Sequence, residues 1–115
     1  MEENQKLTGL GVVLVTASSQ TQGEAIARSL LENKLAACIN MTAVNSFYTW
    51  QGKINSDSEW QLIIKTDLAL FELVSGKIQE LHSYDVPEII ALPIVAGSQS
   101  YLSWIKENVN TNVNS

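Results

Sequence analysis

At 115 residues with 45% hydrophobic content, the chain is long enough for one domain with a real core and too short for two. Charged residues make up 17%, under the roughly 25% usual in soluble domains, which points to surface covered by further copies of the chain. A net charge of −5 leaves no basic footprint, so nucleic acid and anionic membrane are excluded as partners.

Leu10 to Thr16 (LGVVLVT) is a short apolar, β-branched run and predicts a strand buried on both faces. Thr21 with Glu24 three residues on reads as a capping box. Ile26, Ala27, Leu30, Leu31 and Leu35 follow at helical spacing, predicting a helix near 21–34. Residues 38–50 (CINMTAVNSFYTW) read as a long extended segment. Gln51-Gly52-Lys53 makes a turn, and a second extended segment runs to about Thr66. A second helix starts at Thr66 or Asp67, either a good N-cap, and carries Leu68, Phe71, Val74, Ile78 and Leu81 on one stripe. A strand over 88–94 follows, with Pro93 marking an edge position or a strand end. A last helix from about Ser98 holds Tyr101, Leu102, Trp104, Ile105 and Val109. The tail from residue 110 is expected to fray, leaving an ordered core over about 8–109.

The order β-α-β-β-α-β followed by α predicts an α+β, ferredoxin-like domain with a four-stranded antiparallel sheet. Thirteen extended residues span roughly 43 Å, more than the ~35 Å breadth of a compact domain of this size. The hairpin arms must bend or overhang. An overhang exposes edges and side chains such as Phe47, Trp50 and Trp60, so other subunits are expected to cover it.

Cys38 is the one cysteine, so no internal disulfide forms and a reducing compartment is favoured. The opening residues MEENQKLTG place two glutamates before any apolar run, the wrong charge for a secretory signal. The longest apolar run, from Ile89 to Ala96, falls far short of the roughly 20 residues that cross a bilayer. A cytoplasmic protein with no membrane insertion is expected.

The stretch His82-Ser83-Tyr84-Asp85-Val86-Pro87-Glu88 packs titratable and aromatic groups into a helix-to-strand corner. Pro87 biases Val86 toward extended backbone, which fixes the corner's shape. His82, the only histidine, either ligates a metal, since neutral imidazole suits copper, zinc and nickel, or caps the second helix. Cys38 is either a small buried hydrophobe or a soft copper(I) ligand. Trp50 to Lys53 form either a recognition tip or a packed hairpin turn. Lys65, Glu59 and Gln61 share one face of the third strand. Lys65 either meets an anionic ligand or pairs with a carboxylate of another subunit, for instance Glu88. No nucleophile elbow, phosphate loop or His-x-x-x-His pattern is present, which argues against an enzyme.

The segments VVLVTA, AIARSLLENKLAACIN, SFYTWQGKI, EWQLIIKT, HSYDVPEIIALPI and SYLSWI, in this order, resemble the CutA divalent-cation tolerance family over Val12 to Val109. The resemblance implies a ferredoxin-like subunit in a tight homotrimer, with the long hairpins of three subunits pairing. It also implies inter-subunit clefts similar to those of the PII signal-transducing proteins, which bind small effectors. A role in tolerance of copper and other divalent metals, without catalysis, follows from the same likeness. A copper site proposed for some members uses a first-strand cysteine with the histidine and glutamate matching His82 and Glu88. Here Val15 and Ala17 occupy the positions where that cysteine can stand, and Ser18 and Ser83 replace prolines common in the family. Trp50, Glu59, Lys65 and Tyr84 are the further cleft candidates, for a metal ion or a small molecule.

Overall fold

The computed structural model describes residues 8–111, and its elements follow the expected order. They are β1 (Leu10–Ala17), α1 (Gln20–Glu32), β2 (Cys38–Trp50), β3 (Lys53–Asp67), α2 (Phe71–Leu81), β4 (Ile89–Pro93) and α3 (Gln99–Glu107), with a 3-10 turn (Leu68–Leu70) leading into α2. The four strands form one antiparallel sheet in the order β2-β3-β1-β4. β4 lies at an edge with Pro93 as its last residue, so the missing N–H costs no ladder bond.

Register sorts the sheet into two faces. Val13, Val15 and Ala17 pair with Ile64, Leu62 and Trp60, and Ile39 and Met41 lie beyond Ile64 and Leu62. This face meets Ile26 and Leu30 of α1 and Val74 and Ile78 of α2 in one core. Burying each such side chain contributes about 1.5–3 kcal/mol. Trp60 is half-buried on this face, whereas Leu31 and Leu81, at the ends of their helical stripes, stay exposed. The opposite face carries Val12, Leu14, Ile63, Ile90 and Leu92; Ile90 and Leu92 remain half-exposed. Among the elements described, α3 packs on β1 and β3 with Ile105 buried.

One helix start differs from the sequence expectation, and the other is decided between its two candidates. The N-cap of α1 is Ser19, not Thr21: its Oγ accepts the Gln22 N–H at 3.1 Å. Ser19 and Gln22 have the same three-residue spacing as Thr21 and Glu24, and the earlier pair wins because β1 ends only at Ala17. At the second helix, Asp67 caps the 3-10 turn through Oδ1 to the Ala69 N–H (2.9 Å), while buried Thr66 donates its hydroxyl to the Leu35 carbonyl at 2.6 Å. Helix α1 ends on Lys34 in the left-handed region (φ 57°). The Lys34 and Leu35 N–H groups return to Leu31 and Leu30, a Schellman closure without glycine. In the tail, the Asn110 N–H donates to the Lys34 carbonyl at 2.9 Å, and residues 112–115 lie outside the described residues, as do 1–7.

The β2–β3 hairpin controls the shape. Its ladder runs unbroken from Cys38–Lys65 to Trp50–Lys53, but β1 pairs with β3 only as far as Trp60. Residues 44–50 and 53–59 therefore project as a two-stranded ribbon of roughly 23 Å. The extents are 43 × 35 × 24 Å and the radius of gyration is 15.3 Å, above the ~13 Å of a compact chain this long. Gln51 (φ 53°) and Gly52 (φ 76°) both take positive φ, the signature of a type I′ turn matched to strand twist. Along the ribbon Phe47 is 74% exposed, Trp50 62% and Ile54 83%.

Candidate functional site

The corner after α2 folds beside this ribbon and completes a cleft. β4 begins only opposite Val15, so residues 84–88 run past the end of β1 toward the free stretch of β3. The cleft encloses about 810 Å³ and is lined by Ser46, Phe47, Tyr48 and Trp50 of β2, Asp57 and Glu59 of β3, and Thr16 of β1. Tyr84, Asp85, Val86 and Glu88 complete it from the corner. Four of these groups are carboxylic acids and none is a lysine, arginine or histidine.

His82 is the clamp that sets the corner. It is the C-cap residue of α2, but its ring turns away from the helix carbonyls. Nε2 lies 2.7 Å from the Thr16 carbonyl oxygen and therefore carries a proton, while Nδ1 accepts the Tyr84 N–H at 3.1 Å. Both ring nitrogens are engaged. The ring also packs at 4.8 Å, centroid to centroid, on that of Tyr84. Ser18 Oγ and Ser83 Oγ meet at 3.4 Å, and Ser83 Oγ also lies 3.4 Å from Gln22 Oε1.

Held this way, Tyr84 donates its hydroxyl to Glu59 Oε2 at 2.7 Å. Glu59 is only 8% exposed, unusual for a carboxylate. Burial of the Tyr84 phenol, followed by its bond to Glu59, pushes its pKa up to about 12. Tyr48 donates to Asp57, and that bond raises the Tyr48 phenol as well. Both phenols are thus neutral donors to cleft carboxylates at ordinary pH.

Of the sequence candidates, Trp50, Glu59, Tyr84 and Glu88 line the cleft together. His82 stands behind it. Lys65 does not reach it: six residues along β3 from Glu59, it donates Nζ to Asn40 Oδ1. Among the described residues, no group of three or more His, Cys, Asp and Glu side chains is placed to hold a metal ion. Val15 and Ala17 point into the core, away from the cleft, so a cysteine at either position would not face it. Cys38 is half-buried near Tyr101 of α3, whose phenol is raised by burial and then by Cys38. Asp57 and Tyr48 are the site residues that the sequence reading passed over; Asp85 and Phe47 were named there only as part of the corner and of the overhanging hairpin.

The CutA1 divalent ion tolerance model matches residues 11–108. The chain is 46% identical over 109 residues to the chloroplastic protein CutA of Arabidopsis thaliana, covering 94% of this chain and 60% of that one. It is 43% identical over 98 residues to the divalent-cation tolerance protein CutA of Thermus thermophilus, covering 84% and 95%. In structure it is similar to the periplasmic divalent cation tolerance protein CutA of Archaeoglobus fulgidus, with a TM-score of 0.86 and 40% identity over 88% of this chain and 99% of that one. The chain belongs to the CutA1 family.

Proposed function

We propose that this CutA-family chain works as a homotrimer that binds divalent cations, copper(II) among them, and serves metal tolerance by binding and not by catalysis. The observation that carries the reading is the cleft itself, lined by Asp57, Glu59, Asp85 and Glu88 with no cationic side chain in its wall. Such a lining concentrates cations and repels anionic metabolites. The relative from Thermus thermophilus is described as a divalent-cation tolerance protein, in keeping with a cationic ligand. The ferredoxin-like assignment rests on the β-α-β-β-α-β order and the strand order β2-β3-β1-β4.

The described residues of one subunit do not assemble three ligands, so a tight site draws them from more than one copy. Glu88 is exposed and free to coordinate. His82 joins only by releasing the Tyr84 N–H from Nδ1. The trimer is supported by the overhanging ribbon with its exposed Phe47, Trp50 and Ile54, and by the unpaired β2 edge. A cytoplasmic location belongs to the same reading and rests on the lone, unpaired Cys38. Among the described residues no helix is long and apolar enough to cross a membrane.

Calorimetric titration with Cu²⁺ and Zn²⁺ tests the reading. Glu88→Gln should weaken binding at least several-fold and His82→Ala should change it further. Equal affinities in wild type and both variants would remove the cleft as the cation site. A second reading, a small-molecule sensor similar to PII, is favoured by the aromatic walls (Phe47, Tyr48, Trp50, Tyr84) and by a volume far above that of one ion. It predicts a thermal shift with a metabolite while a chelator is present.

A further inference from the structure

We infer that Lys65 of one subunit pairs with Glu59 of a neighbouring copy, which leaves Asp57, Asp85 and Glu88 as the cleft carboxylates that face a bound cation in the assembly. The inference rests on the trimer reading and adds the residue that each copy lends to the next. Glu59 is only 8% exposed, yet among the described residues the only donor that reaches its carboxylate is a neutral phenol on Oε2. Among the described residues, no lysine or arginine stands within ion-pair distance of it; the pair they form is Lys77–Glu80 at 3.2 Å. A buried carboxylate without a cation is costly to keep. Lys65 has the complementary defect. It is half-buried and its Nζ is given to a neutral amide, Asn40.

The two groups cannot meet within one chain. Both occupy odd positions of β3 and therefore share a face, but six residues separate them by about 20 Å. That is roughly twice what the two side chains can bridge together. The shared face is the one that α1 and α2 leave open; α3 sits against its Cys38 end, and Ile90 and Leu92 on it stay half-exposed. A second copy laid along this face offers its Lys65 to Glu59 here. Repeated around a three-fold axis, each copy gives one ammonium and receives one, a head-to-tail contact that closes. Lys53 lies on the same face, six residues from Glu59 toward the tip, but it is exposed and keeps its hydration, so it serves as the control.

The test uses the full chain and charge reversal, read by light scattering. Glu59→Lys alone and Lys65→Glu alone should each lose the trimer, and the double reversal in one chain should recover it. A closed ring of three has an odd number of junctions, so co-refolding the two single variants always leaves one like-charged junction and should recover the trimer at most in part. Co-refolded with wild type, the double-reversal chain should sort into trimers of its own, because both mixed junctions bring like charges together. Because a reversed charge can prevent folding, Glu59→Gln and Lys65→Met supply a milder cycle. Each should lower the thermal midpoint by roughly 10 °C, with the double variant falling little further. Additive losses would overturn the inference, as would rescue of Glu59→Lys by Lys53→Glu in place of Lys65→Glu. Free mixing of wild-type and double-reversal chains in one trimer would put the pair inside one chain and overturn it too. A wild type of monomeric mass would overturn the trimer reading first, whereas a trimeric wild type whose variants stay trimeric and additive sinks only the pairing.

Discussion

Replacing Tyr84 with phenylalanine removes one oxygen and tests how the corner is held. That oxygen donates to Glu59 at 2.7 Å, and Glu59 has little water to replace it. A hydrogen bond to a charged group is worth about 1.5–3 kcal/mol. Tyr84 is 36% exposed, so solvent screening reduces this to about 1–2 kcal/mol. For a chain of this size the thermal midpoint should fall by about 4–8 °C at fixed protein concentration. The pH dependence fixes the cause. The folded phenol is raised from its ordinary 10 to about 12, so its stabilisation is complete below pH 10 and disappears as pH climbs through 12. The gap between wild type and Tyr84→Phe in guanidinium unfolding should therefore be constant from pH 7 to 9 and close between pH 10 and 12. In a Glu59→Gln background the same substitution should cost less. An unchanged midpoint, or a gap that persists undiminished to pH 12, would refute the assignment of Tyr84 as the donor that keeps Glu59 buried.

Three further outcomes follow from the same geometry. All three tyrosines are raised above the ordinary value, Tyr48 by its bond to Asp57, Tyr84 and Tyr101 first by burial. Alkaline difference absorbance near 295 nm should place every phenol midpoint above the ordinary pH 10 while the protein is folded, and a midpoint at or below it would contradict the Tyr48–Asp57 and Tyr84–Glu59 bonds. His82→Ala breaks the bonds to Thr16 O and Tyr84 N and should cost about 1–3 kcal/mol, with faster amide exchange over residues 83–88 and not across β1–β3. Gly11→Ala puts a Cβ 2.7 Å from the Leu92 carbonyl oxygen and 2.4 Å from Leu68 Cδ2. Because the backbone oxygen cannot swing aside, denaturant unfolding should show a loss of about 1–3 kcal/mol, and a neutral result would mean β4 sits farther from β1.

Much of the fold is legible because its signals are local. Ile26 and Leu30 at helical spacing, the apolar run of β1 and the uninterrupted 13-residue segment before Gly52 each dictate one element, and the arithmetic of strand length already demands a bend or an overhang, of which the structure takes the overhang. The N-cap was misplaced because Ser19–Gln22 and Thr21–Glu24 are equivalent as spacing. Only the true end of β1 at Ala17 separates them. The site was half legible. Trp50, Glu59, Tyr84 and Glu88 do converge, but Asp57 and Tyr48 were passed over although the signal existed. Once Trp50 pairs with Lys53 across a two-residue turn, alternation puts Ser46, Tyr48, Asp57 and Glu59 on one face. Lys65 shares that face and was grouped with them, because period-two reasoning gives the face and not the 20 Å along it. The engagement of both His82 nitrogens was out of reach, since it depends on the corner folding back to Thr16, sixty-six residues away in sequence.

The measurement that bears most directly on the whole account is the mass of the wild-type protein in solution. Light scattering at micromolar concentration should give about three times the 12.6 kDa of one chain, unchanged on dilution through that range. A mass of one chain would leave the ribbon, the half-exposed face and the buried Glu59 without the neighbours that the account requires, and would contradict it.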